Sequence, residues 1–192
     1  MPNVLYAIPR LSATMALPLL VGTIALTLAG SADSSRAPSR APRTPAARSP
    51  SIVADSIVVE KSSHRLSLYH NGAVVRSYLV ALGEHPVGDK VSRGDMRTPE
   101  GRFTIEARNL ESRFHRALRI SYPDAAHRAR AQALGVSPGG DIMIHGLPAK
   151  QAWVGAAHRD FDWTEGCIAV TNQEIEEIWS AVPVGTPIHI KP

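Results

Sequence analysis

Cysteine is almost absent from this chain of 192 residues: Cys167 is the only one. A single thiol excludes any internal disulfide, so an exported form of the protein carries a free and reactive sulfur. Charge is missing from the N-terminal stretch as well. Arg10 is the only charged side chain before Asp33, and residues 11–29 are almost wholly apolar. A basic residue, an apolar run and the small residues Gly30-Ser31-Ala32 predict an export signal over residues 1–32, with cleavage after Ala32. The apolar run is also long enough to span a bilayer, so an uncleaved membrane tether through residues 11–29 is the alternative. No cysteine stands at that site, which excludes a lipoprotein anchor there. In either case the rest of the chain is expected outside the cytoplasm. No internal repeat is visible.

Residues 33–51 have no apolar period to bury. Pro38, Pro42, Pro45 and Pro50 alternate with Ala, Ser and Arg36, Arg40, Arg43 and Arg48. Such a segment cannot offset its ordering entropy and reads as a disordered tether. Its arginines supply much of the formal charge of +4 and the isoelectric point near 9.6. The basic balance therefore does not mark a nucleic-acid partner; it fits a tether near anionic lipid or wall polymer, or simple solubility.

Residues 52–192 remain, the size of one ordinary domain. Ser56 to Lys61 and Arg65 to His70 alternate apolar and polar residues as half-buried strands do. Asn71-Gly72 is a hairpin turn signal, with Ala73 to Leu82 returning as a third strand. Gly101 to Ala107, Leu118 to Tyr122, Asp141 to His145 and Thr186 to Ile190 read as further strands. Asp124 to Leu134 reads as a helix stopped by Gly135 and Pro138. Thr171-Asn172-Gln173-Glu174 has the form of a capping box, followed by Ile175, Ile178, Trp179 and Val182 at helical spacing and ended by Pro183 and Gly185. The expected fold is mainly β with two helices.

The residues that carry chemistry lie around the thiol. Cys167 stands in Trp163-Thr164-Glu165-Gly166-Cys167-Ile168, and His145-Gly146 follows the apolar Ile142-Met143-Ile144, 22 positions upstream. That spacing is too long for one helix face but suits two strand ends joined by a loop. A thiol needs a neighbouring imidazole or helix N-terminus to become a nucleophile, so Cys167 and His145 form a candidate pair; a buried structural cysteine is the plainer alternative. His158 is nearer in sequence and is the second candidate base, although it sits in what reads as an exposed loop. His145, His158 and Cys167 lack a fourth ligand at usable spacing, so a zinc site is not expected. Asp160, Asp162 and Trp163 either line the site or shape its loop. Lys90, Arg93 and Arg97 are candidates for gripping substrate carboxylates.

Ile144-His145-Gly146 followed by Thr164-Glu165-Gly166-Cys167-Ile168 resembles the signature of the L,D-transpeptidase catalytic domain (YkuD-type) family, and the form Asp-x-Thr-x-Gly-Cys-Ile-Ala over Asp162 to Ala169 resembles its murein transpeptidase-related subgroup. Arg93-Gly94-Asp95, Thr98-Pro99-Glu100-Gly101 and Phe103 are similar to its upstream pattern, and Leu66 to Gly72 resembles its opening hairpin. The likeness runs from about residue 56 to 190. It implies a β-sandwich-like domain that takes peptidoglycan stem peptides as acyl donors and an amine as acceptor, as a monomer and without a cofactor. On matching positions, Cys167 would attack the amide between the L-centre of diaminopimelate and a terminal D-alanine, and His145 would take its proton. Gly166, Thr164 and Gly146 would position the site, with the amides of Gly166 and Cys167 as oxyanion donors. Trp163, Arg93 and Arg97 would meet substrate.

Two positions depart from the commoner family pattern. Glu165 stands where many members have histidine before the glycine, and Ala169 where many have arginine two residues after the cysteine. The missing arginine leaves substrate choice open. Hydrolysis, with water as acceptor, and a non-catalytic wall-binding module remain as alternatives. A papain-like protease fits less well, since it needs more chain and a different cysteine context.

Overall fold

The computed structural model describes residues 53–192; the expected export signal and the Pro/Arg segment lie outside the described residues. Among these residues eight strands make one hydrogen-bonded sheet. They are β1 (Ser56–Glu60), β2 (Arg65–His70), β3 (Ala73–Leu79), β4 (Gly101–Ser112), β5 (His115–Ile120), β6 (Met143–His145), β7 (Ile168–Ala169) and β8 (Pro187–Lys191), in the order β3-β2-β1-β8-β4-β5-β6-β7. Among the described residues two α-helices accompany them, α1 (Ala125–Ala133) and α2 (Asn172–Ala181), with a short 3-10 turn over Lys61–Ser63 and a longer 3-10 segment over Ala149–Arg159. The mainly β class with two α-helices is the one expected. The sandwich expected from the family takes the form of one continuous sheet: Gly101 to Thr104 of β4 pair with β8, and the rest of β4 pairs with β5.

Alternation explains the burial. Ile57 and Val59 of β1, Leu66 and Leu68 of β2, Phe103 and Ile105 of β4 and Ile188 and Ile190 of β8 all point into one core, and the intervening residues are more exposed. The expected capping box is present: Thr171 accepts from the Glu174 N–H while the Glu174 carboxylate accepts from the Thr171 N–H. Such a cap is worth ~1 kcal/mol. Ile175 and Ile178 then fall on the buried face of α2, which packs against β5 and β6, and each fully buried side chain contributes ~2 kcal/mol.

Most expected boundaries differ by only a few residues. The larger difference is at β4 and β5, which run on to meet at a tight turn over Arg113-Phe114, with Ser112 paired to His115. No glycine or proline announces that turn; His115 takes the left-handed conformation instead, at φ 70°. Strand β7 and the two 3-10 segments were not expected from the sequence. β7 is only two residues long, too short for any period to show.

Candidate active site

Two strand ends bring the candidate pair together. His145 closes β6 and Cys167 immediately precedes β7, and the two strands lie parallel with Ile144 opposite Ile168. Both side chains line a cleft of about 790 Å³, together with Lys90, Arg93, Arg113, Phe114, Trp163 and Glu165.

The cysteine loop is tied down on both sides. Thr164 Oγ1 accepts from the Gly166 N–H at 3.1 Å and donates to the Cys167 carbonyl at 2.7 Å. Residues 81–84 clamp the same loop: Thr164 N–H donates to Leu82 O, Glu84 N–H to Thr164 O, and Ala81 and Ala169 exchange both main-chain bonds. Gly166 has φ 125°, and a Cβ there would lie 2.5 Å from the Arg97 carbonyl oxygen. The neighbour that requires glycine is thus main chain of this protein, not substrate. The Gly166 N–H, one of the two amides expected at an oxyanion, donates to Thr164 Oγ1. At Gly146 the neighbour is a side chain: a Cβ there would stand 2.5 Å from Asn172 Oδ1, which is held by the Leu147 N–H where α2 begins.

The imidazole of His145 is 2% exposed. It is stacked on Phe114, with ring centroids 4.4 Å apart, and edge-on to Trp163 at 5.9 Å. Its Nδ1 faces the Gly146 carbonyl at 2.7 Å. A carbonyl only accepts, so Nδ1 carries the proton and Nε2 keeps the lone pair. Burial pushes the His145 pKa down to about 4, with the charges of His158 and Arg113 acting in the same direction against the Gly146 bond. Burial likewise pushes the Cys167 thiol up; Glu165 and Asp141 add to that, while the Met143 amide and Lys90 oppose it. The Sγ donor faces Asp141 O at 3.7 Å. At neutral pH the pair is a neutral thiol and a neutral imidazole.

The other candidates separate. His158 is buried, 4% exposed, with its ring edge-on to Trp163 and both ring nitrogens without a partner among the described residues. The exposed loop expected for it is a 3-10 segment that is exposed at most positions, with the His158 side chain alone turned inward. Arg93 lines the cleft and Arg97 does not; the Arg97 guanidinium packs beside Gly88. Lys90 is spent on Asp95 at 2.7 Å, whose carboxylate also takes the amides of Val91, Ser92 and Arg97. Asp162 shapes the loop, accepting from the Leu82 N–H at 2.7 Å and pairing with His64 at 2.9 Å. Ala169, at the position of the commoner arginine, is fully buried and does not line the cleft. Sequence reasoning missed Arg113 and Phe114, since no local signal marks their turn. Among the described residues no group of three or more His, Cys, Asp or Glu side chains is placed to hold a metal ion.

Fold and cleft together define a mainly β domain with one thiol and one buried imidazole at neighbouring strand ends. The model of the L,D-transpeptidase catalytic domain (YkuD) family matches residues 54–190, and the chain belongs to that family. It is 29% identical over 132 residues to "Putative L,D-transpeptidase YafK" of Escherichia coli (strain K12), covering 66% of this chain and 46% of that protein. The chain thus spans a little under half the length of this curated relative. In fold it is similar to the helical cell shape determining protein Pgp2 from Campylobacter jejuni, with TM-score 0.53 and 24% identity over 70% of this chain and 46% of that one. The K307A mutant of the same protein gives TM-score 0.52 and 21% identity, over 73% and 47% of the two chains.

Proposed function

We propose that the chain is a cysteine-dependent acyltransferase acting on peptidoglycan stem peptides in the bacterial envelope, with Cys167 as nucleophile and His145 as base. The observation that carries this reading is the cleft shared by the chain's only thiol and a neutral imidazole whose Nδ1–H is already committed to Gly146. His145 Nε2 is then the acceptor for the thiol proton. Because both groups rest neutral, the proton moves as the bond forms: Sγ attacks the stem-peptide carbonyl carbon while Nε2 takes its proton. The Cys167 N–H is the remaining amide for the oxyanion, and the proton on Nε2 passes to the departing amine. A thioester is left on Cys167. An acceptor amine attacks it, returns a proton through His145, and restores the thiol as the new amide forms.

The whole chain incubated with purified muropeptides, followed by mass spectrometry, tests this. Cross-linked or amine-exchanged stems are the expected products. Trimmed or cleaved stems carrying a new carboxylate would replace transfer with hydrolysis. No conversion, together with no acylation of Cys167, would leave a wall-binding module.

A further inference from the structure

The turn between β4 and β5 places Arg113 beside the base. Its guanidinium lies over the Phe114 ring, 4.7 Å from the centroid, and Phe114 is the ring stacked on His145. Arg113 lines the same cleft as the thiol and is exposed. Among the described residues it has no carboxylate partner, whereas Lys90, also in the lining, is held by Asp95. An unpaired arginine supported on an aromatic face keeps its planar fork available for bidentate capture of a carboxylate.

We propose that Arg113 is a specificity-determining residue of this site, binding a free carboxylate of the acyl-donor peptide at the His145 end of the cleft. The inference rests on the acyl-donor reading above and supplies the anionic contact that buried Ala169 cannot. The groups whose charge bears on His145 are His158 and Arg113, and both oppose an imidazolium. A carboxylate seated on Arg113 offsets that opposition just as Nε2 must accept a proton, so donor binding favours the charged form of the base.

Binding separated from turnover tests the inference. The full chain carrying Cys167→Ala is titrated with a stem tetrapeptide bearing free carboxylates and with its fully amidated analogue. Adding Arg113→Gln should weaken the free-carboxylate peptide by ~10-fold or more and leave the amidated one unchanged, with Arg113→Lys intermediate. Equal weakening of both peptides, or of neither, overturns the proposal, as does failure of the parent to prefer the free carboxylate. Because no step in this assay needs chemistry, an Arg113-dependent preference alongside inactive muropeptide assays would sink the acyltransfer reading and not the recognition.

Discussion

The hydroxyl of Thr164 donates to the carbonyl oxygen of Cys167 at 2.7 Å and in the same geometry accepts from the N–H of Gly166. One side chain thereby holds the main chain on both sides of the nucleophile's Cα. The thiol is aimed by a turn that closes on itself, and residues 81–84 fix that turn to the sheet.

Thr164→Val removes both bonds at nearly constant volume and leaves a buried N–H and C=O unpaired. Stability should fall by ~2 kcal/mol, and Cys167-dependent turnover should fall with it. Thr164→Ser, which keeps the oxygen, should recover most of both. Urea titration and muropeptide conversion measure the two effects separately. A Val variant as active as the parent would show that the turn needs no hydroxyl.

Cys167→Ser should abolish turnover with the fold unchanged, since a hydroxyl beside a base of such low proton affinity is a far weaker nucleophile. Circular dichroism checks the fold, and product analysis checks activity. Comparable conversion by the serine variant would exclude a covalent thioester.

The two histidines should separate cleanly. His145→Ala is expected to cost ~100-fold or more in turnover, the usual scale for loss of a general base. His158→Leu should retain most activity and lose little or no stability, because it removes two buried nitrogens that have no partner among the described residues. The opposite ranking would move the base to His158.

Acid should destabilise the fold in two windows. The His145 pKa is about 4 in the folded protein against an ordinary 6.5, so the unfolded chain binds the proton first. Its contribution is complete above 6.5 and is lost as pH falls towards 4, amounting to about 3 kcal/mol. His158, also held down by burial, adds in the same direction. Asp95 acts lower down: its carboxyl is held to about 2, chiefly by Lys90 and three amides against its burial, so that stability disappears between the ordinary 3.8 and 2. Melting temperature followed from pH 7 to 4 should flatten in His145→Asn. A slope unchanged in that variant would place the acid-sensitive group elsewhere.

Much of the fold was legible because it rests on local chemistry. Alternation in Ser56 to His70, the Asn71-Gly72 turn and the Thr171/Glu174 box all act within a few residues, and each appears where its pattern stands. The Arg113-Phe114 turn carried no such mark. It exists because β4 and β5 pair along most of their length, which is a property of two segments and not of either one. The burial of His158 was hidden too: its ring is 4% exposed and edge-on to Trp163, and no periodicity in the exposed segment around it marks that contact.

Residue types alone thus determined that this chain carries one thiol, one histidine-glycine strand end and a β-rich domain to hold them, since side-chain chemistry and short-range periodicity are written directly in the order of residues. Only the tertiary structure decided that the thiol and imidazole rest neutral, that Gly166 yields to the Arg97 carbonyl, and that Arg113 rather than Arg97 reaches the cleft. Those outcomes are set by desolvation and steric contact between segments distant in sequence, and neither exists until the sheet has closed.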